Sequence, residues 1–163
     1  MEYAMDDAEF AEWSELNQKT EDDDTYYDWI SKLNIGNTWK DRLRSIVTVV
    51  KRIGTTTLNI GKIVLNILKE ILRNFPQMTL GILIGLVFGA LISCIPFIGQ
   101  FLAPLLTPFV VLALGLLGFV GDVTNYISGR TQFRDVIDKA FESVGDGSAF
   151  RDALSRLMRG IQF

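Results

Sequence analysis

NFPQMTLGILIGLVFGALISCIPFIGQFLAPLLTPFVVLALGLLGFVG, residues Asn74 to Gly121, lies between Arg73 and Asp122 and holds 48 residues with no ionisable group except the thiol of Cys94. One straight helix of that length would reach about 72 Å at 1.5 Å per residue, more than twice a hydrocarbon core of roughly 30 Å. The run therefore folds back. Pro96, Gly99 and Pro104 mark the reversal, because proline removes an amide donor and glycine admits a reversing backbone. The arms on either side, Met78 to Ile95 and Leu105 to Gly121, sit at the short end of what spans a bilayer. Backbone amides in lipid need internal partners, so the turn belongs at the far headgroup layer or under other protein. Pro108 leaves a carbonyl without its donor, and the Thr107 hydroxyl is the local group able to serve it.

Small residues recur along the first arm at Gly81, Gly85, Gly89 and Ser93, and along the second at Thr107, Gly115, Gly118 and Gly121. A ridge of this kind lets helix backbones approach closely, the usual basis of association between helices in lipid. It is expected to join copies into a homo-oligomer, the alternative being that it packs the two arms of one hairpin.

Charge is distributed unevenly around this centre. The first 33 residues hold eleven acids and two lysines, net −9; Thr38 to Arg73 is net +6; Asp122 to Phe163 is net zero, and the whole is −3. With no histidine and one cysteine, the chain has no internal disulfide framework, no Cys/His zinc site and no Ser-His-Asp or Cys-His catalysis. Cys94, amid apolar residues, reads as a small filler. No phosphate-cradling glycine loop is present, and Gly145, Asp146, Gly147 is a turn signal without a strand before it, so neither enzyme activity nor a cofactor is expected.

Residues 1–37 read as an acidic arm with spaced aromatics. Trp13, the run Glu21, Asp22, Asp23, Asp24, and Trp29 have the composition of a segment that docks on a protein partner or folds back to inhibit its own chain. No EF-hand spacing accompanies the acids. The opening residues are acidic where a secretory signal needs a basic region, so the N-terminus is expected to remain in the compartment of synthesis.

Residues 38–75 open with Thr38 and Asp41, close to a capping box, and carry a helical stripe through Trp39, Leu43, Ile46, Val47, Val50, Ile53, Ile60, Val64, Ile67, Leu68, Ile71 and Phe75. Lys40, Arg44, Lys51, Lys62, Lys69 and Arg73 gather on the opposite side, and Arg42 falls toward the apolar arc. This basic amphipathic segment is expected to lie at a membrane interface with its cations on anionic headgroups, Gly54 and Thr55 to Thr57 dividing it into two shorter helices. The alternative is that the stripe packs on other helices of the chain. Nucleic acid is not an expected partner, since the chain is acidic overall and shows no nucleic-acid module.

Residues 76–121 are the hairpin, and 122–163 a C-terminal pair of amphipathic helices, one marked by Phe133, Val136, Ile137, Ala140, Phe141 and Val144, the other by Phe150, Leu154, Leu157, Met158 and Ile161. The fold expected is all-α: an integral membrane protein with a two-helix transmembrane or re-entrant hairpin flanked by amphipathic helices. Basic flanks at both ends of an uncharged hairpin place both termini on the cytoplasmic side. In architecture alone the arrangement resembles pore-forming bacteriocins and small viral channel proteins. It implies an oligomer that permeabilises or gates a membrane, with membrane shaping and an accessory role in a larger complex as alternatives. Since Gln77, Thr79, Ser93, Gln100 and Thr107 are the only polar residues of the hairpin, a pore would draw its wet wall from the basic segment.

Overall fold

The computed structural model describes residues 5–74, 80–119, 121, 125, 128 and 133–143. These residues are mostly helical with two short strands, and the chain divides into two compact units, residues 5–74 and, with the first four residues, 75–163.

In residues 5–74, α1 (Asp7–Gln18) begins where the Asp6 carboxylate accepts from Glu9 N at 2.8 Å, and α2 (Asp23–Ser31) where Asp22 accepts from Thr25 N at 3.3 Å and from the Thr25 hydroxyl at 2.5 Å. Two acids of the N-terminal run thus serve as helix caps, satisfying amides that otherwise lack partners. The next helix, α3 (Asn37–Val47), starts from Gly36 with no side-chain cap, so Thr38 and Asp41 do not form the expected box; Asp41 pairs with Arg44 at 2.5 Å instead.

The basic segment divides around Gly54 into two helices, as its glycine and threonines predict. What divides them is an antiparallel hairpin, β1 (Lys51–Ile53) against β2 (Thr56–Leu58), with Lys51 opposite Leu58 and Ile53 opposite Thr56. β-Branched residues dominate the sequence, and Gly54 at φ +62° supplies the left-handed first position of a two-residue loop. Then α4 (Ile60–Asn74) follows at once. Its Gly61 lies so close to α3 that an added Cβ would overlap the Ile46 carbonyl, 2.8 Å from its carbon, and Gly61 N donates to Val49 O at 3.0 Å. Helix backbones meet this tightly only where a side chain is missing.

The stripe expected among acyl chains is covered by protein. Leu43, Ile46, Val47, Ile60, Val64, Ile67, Leu68 and Ile71 are buried together with Trp13, Tyr26 and Ile30 of the supposed arm. The boundary at residue 37 is therefore not a domain boundary: α1 and α2 supply the aromatic part of one shared core. Val50 of the same stripe stays 47% exposed.

In the second unit, α5 (Leu80–Cys94) and α6 (Pro96–Leu116) form an antiparallel hairpin. Its reversal is a corner at Ile95, whose extended φ −118° and ψ 104° separate the helices, and not a turn over Pro96 to Pro104. Pro96 occupies the first turn of α6, where an amide has no partner to lose, while Pro104 and Pro108 lie inside the helix. The Thr107 hydroxyl donates to Ala103 O at 2.6 Å, not to the Pro104 carbonyl that Pro108 leaves without a donor. Gly118 at φ +89° ends the helix: Gly118 N donates to Gly115 O and Phe119 N to Leu114 O, the paired bonds of a glycine C-terminal cap. The second arm thus stops at Leu116, short of Gly121. A last helix, α7 (Phe133–Ser143), buries Val136, Ile137 and Ala140 and exposes Asp135, Lys139 and Glu142. The helix read at 150–161 lies outside the described residues.

Candidate functional site

Two features hold the side chains that the sequence singled out, the α5–α6 hairpin and the polar face of α4. Each belongs to one unit.

Within the hairpin, every residue from Leu83 to Leu91 is buried, so this middle part of α5 is enclosed on all faces while its ends are half-buried. Gly85 faces α6, where a Cβ would overlap that of Ala113 and stand 2.5 Å from Phe109 O; Phe88 meets Phe109 edge to face at 5.1 Å. Gly89 faces Val110 and the Ile137 side chain of α7. Gly99 packs on the α5 backbone, a Cβ there lying 2.6 Å from Ile92 O, so it serves close approach and not chain reversal. Gly81 has looser surroundings, 3.9 Å from Leu116, and the Ser93 hydroxyl donates to Ala90 O at 3.3 Å. On α6 the picture differs, since nothing lies within 4 Å of a Cβ at Gly115 or Gly118. The ridge of small residues therefore divides into glycines used inside the chain, Gly85 and Gly89, and one left open on a helix surface, Gly115, while Gly118 is a helix stop.

By length and composition α6 is the described helix that qualifies to cross a membrane: Phe97 to Leu116 are charge-free, fewer than half of them are buried, and Leu105 and Leu116 are exposed at 37% and 58%. Its twenty-one residues extend about 31 Å, against about 22 Å for the fifteen of α5.

The α4 face is built by α2. Lys62 Nζ lies 2.7 Å from Asp23 Oδ1 and donates to Glu21 O at 2.9 Å; the Tyr26 hydroxyl donates to Asn66 Oδ1 at 2.9 Å; Lys69 Nζ stands 5.9 Å from the Tyr26 ring and 5.7 Å from the Trp29 ring. The Lys62 side chain is 13% exposed and that of Asp23 49%, so salt screens the pair and its worth is on the order of 1 kcal/mol or less. From the other side, Asn17 at the end of α1 donates to Thr57 O and accepts from Asn59 N at 2.7 Å, tying α1 to the start of α4.

The remaining residues assigned to headgroups are spread over separate local contacts. Lys40 donates to Ser31 O, Arg44 pairs with Asp41, Arg73 pairs with Glu70 at 2.8 Å, and Lys51 is part of β1. Arg42 is exposed with its guanidinium 5.6 Å from the Trp39 ring, which accounts for a cation at the edge of the apolar arc. Among the residues assigned to docking, Trp13 is fully buried and Trp29 half-buried on Lys69, whereas Glu21, Asp22, Asp23 and Asp24 are exposed. The hydrogen bonds from the Thr25 hydroxyl and amide hold the Asp22 carboxyl below its usual value.

Sequence reading missed Gly61, Asn17 and the Tyr26–Asn66 bond. A glycine one residue into an amphipathic helix, on the edge of its apolar stripe, was the available signal for the first. No signal announced the others, whose partners lie 40 or more residues away.

Compared with protein-family models, with curated proteins and with solved structures, the chain matches none.

Proposed function

We propose that this is an oligomerising membrane protein whose uncharged hairpin inserts into a bilayer and permeabilises it, with both termini on the cytoplasmic side. The observation that carries the reading is α6, a charge-free helix about as long as a hydrocarbon core is thick, with part of its apolar surface uncovered. The hairpin corner at Ile95 to Gln100 also holds no charge to carry across. Self-association draws on the open face at Gly115, because Gly85 and Gly89 already serve packing within the chain. Anionic lipid is the favoured surface, since the cations of residues 38–73 adjoin the hairpin in sequence.

One observation favours a second reading, in which the hairpin wedges a single leaflet and shapes the membrane: α5 is buried from Leu83 to Leu91 while α6 exposes Leu105 and Leu116, so one arm alone offers apolar surface to lipid. Dye release separates the two. Permeabilisation predicts leakage from anionic vesicles that Gly115→Leu suppresses while helix content is unchanged. Tubulated vesicles that retain their dye favour the wedge, and vesicles neither leaking nor deformed refute both.

A further inference from the structure

On α4 the residues Lys62, Asn66, Lys69 and Arg73 recur at helical spacing, so one face carries three cations along about 16 Å of helix. α2 covers the first three in step: Asp23 and Glu21 on Lys62, Tyr26 on Asn66, Tyr26 and Trp29 on Lys69. Arg73 continues the face beyond α2 and pairs with Glu70. We propose that this strip is a binding site for phosphate-bearing anionic lipid headgroups and that α2 is its internal competitor, displaced when the protein meets an anionic bilayer.

The chemistry of the contact supports displacement. Lys62 Nζ donates to a carboxylate oxygen and a carbonyl oxygen, the kind of acceptor pair that a phosphate diester presents with its two non-bridging oxygens. A bilayer can shift the balance only if it distinguishes the two states. Here it does so twice. Glu21, Asp22, Asp23, Asp24 and Asp28 make the covering segment repel an anionic surface, while Lys62 and Lys69 beneath it and Arg73 beyond it are attracted. Apart from these polar contacts α2 is a nine-residue helix, marginal alone, held by the buried side chains of Tyr26 and Ile30. The strip deepens the membrane reading given above, yet is testable apart from it.

The test uses the full chain and two substitutions that change net charge equally. Asp23→Asn releases Lys62, whereas Asp28→Asn releases only Lys32 of its own helix, 3.0 Å away. On phosphatidylserine-containing vesicles Asp23→Asn should bind about fivefold tighter than Asp28→Asn, the factor for one basic residue gained at an anionic surface. Lys62→Gln in the Asp23→Asn background should remove that difference, and neutral phosphatidylcholine vesicles should show none. Hydrogen exchange over 23–31 in the wild type should quicken on anionic vesicles while α3 stays protected. Equal binding by the two variants, or exchange over 23–31 unchanged on bound vesicles, overturns the proposal; dye release with unchanged exchange overturns the cover and leaves the hairpin reading standing. The expected binding and exchange without dye release uphold the cover against permeabilisation. Quickened exchange with sodium phosphate alone overturns the bilayer as the source of the anion.

Discussion

Replacing glycine by alanine at positions 85, 115 and 118 adds the same methyl group to three environments, and the structure orders the outcomes. At Gly85 the methyl overlaps the Ala113 Cβ and stands 2.5 Å from Phe109 O, groups fixed to the α6 backbone, so no rotamer change relieves it and the helices must part by about 1 Å. Overpacking of this kind costs about 1–3 kcal/mol, and the better helix propensity of alanine returns roughly 1, for a net loss of up to about 2 kcal/mol. At Gly115 nothing lies within 4 Å and the backbone is helical, so the propensity gain of roughly 1 kcal/mol stands alone. At Gly118 the space is equally open but φ is +89°, where an L side chain is strained by about 1–2 kcal/mol. The expected order of stability is Gly115→Ala above wild type, with Gly85→Ala and Gly118→Ala below it. The first two should differ by about 1–3 kcal/mol, or roughly 2–12 °C in a protein of this size. Far-ultraviolet circular dichroism or exchange of α5 amides is the proper assay, because the tryptophans, at 13, 29 and 39, report on residues 5–74 alone. Gly85→Ala as stable as Gly115→Ala would refute the claim that Gly85 is where the two arms meet.

Two further outcomes concern residues 5–74. Gly61→Ala drives a methyl into the Ile46 carbonyl and should cost about 2–3 kcal/mol, read as an earlier loss of tryptophan fluorescence in urea with little change in the exchange of α5. The Asp22 carboxyl is held below its unfolded value by hydrogen bonds from Thr25, so its contribution is complete above about pH 3.8 and is lost as pH falls through the lowered value. Fraying of α2, followed by amide exchange, should therefore set in only in strong acid, and Asp22→Asn, which keeps an acceptor but cannot titrate, should remove that part of the acid dependence. Fraying of α2 already at pH 6 in the wild type would contradict this cap.

Several of the present features were written locally. A charge-free run of 48 residues with Pro96, Gly99 and Pro104 near its middle announces a break, because a continuous helix of about 72 Å would leave its apolar length unpaired with itself. Pro96 marks the break to within one residue, since a ring without an amide fits the first turn of a helix and not the end of the one before. The acids ahead of α1 and α2 are legible as caps by the same local logic.

Periodicity says that a helix has an apolar side and is silent about what covers it. The stripe through α3 and α4 would suit acyl chains or protein equally well; the buried Trp13, Tyr26 and Ile30 decide for protein, and they come from far back in the chain, Tyr26 bonding Asn66 across 40 positions. The glycines carry the same ambiguity. Gly61, Gly85, Gly115 and Gly118 are one letter in the sequence, yet two are close crossings, one is open surface and one is a left-handed helix stop. Composition and spacing determined by themselves that this chain is helical with an uncharged doubling-back at its centre, because those follow from neighbours along the backbone. Which faces are spent inside the molecule was decided by tertiary structure alone, because burial depends on what arrives from elsewhere in the chain.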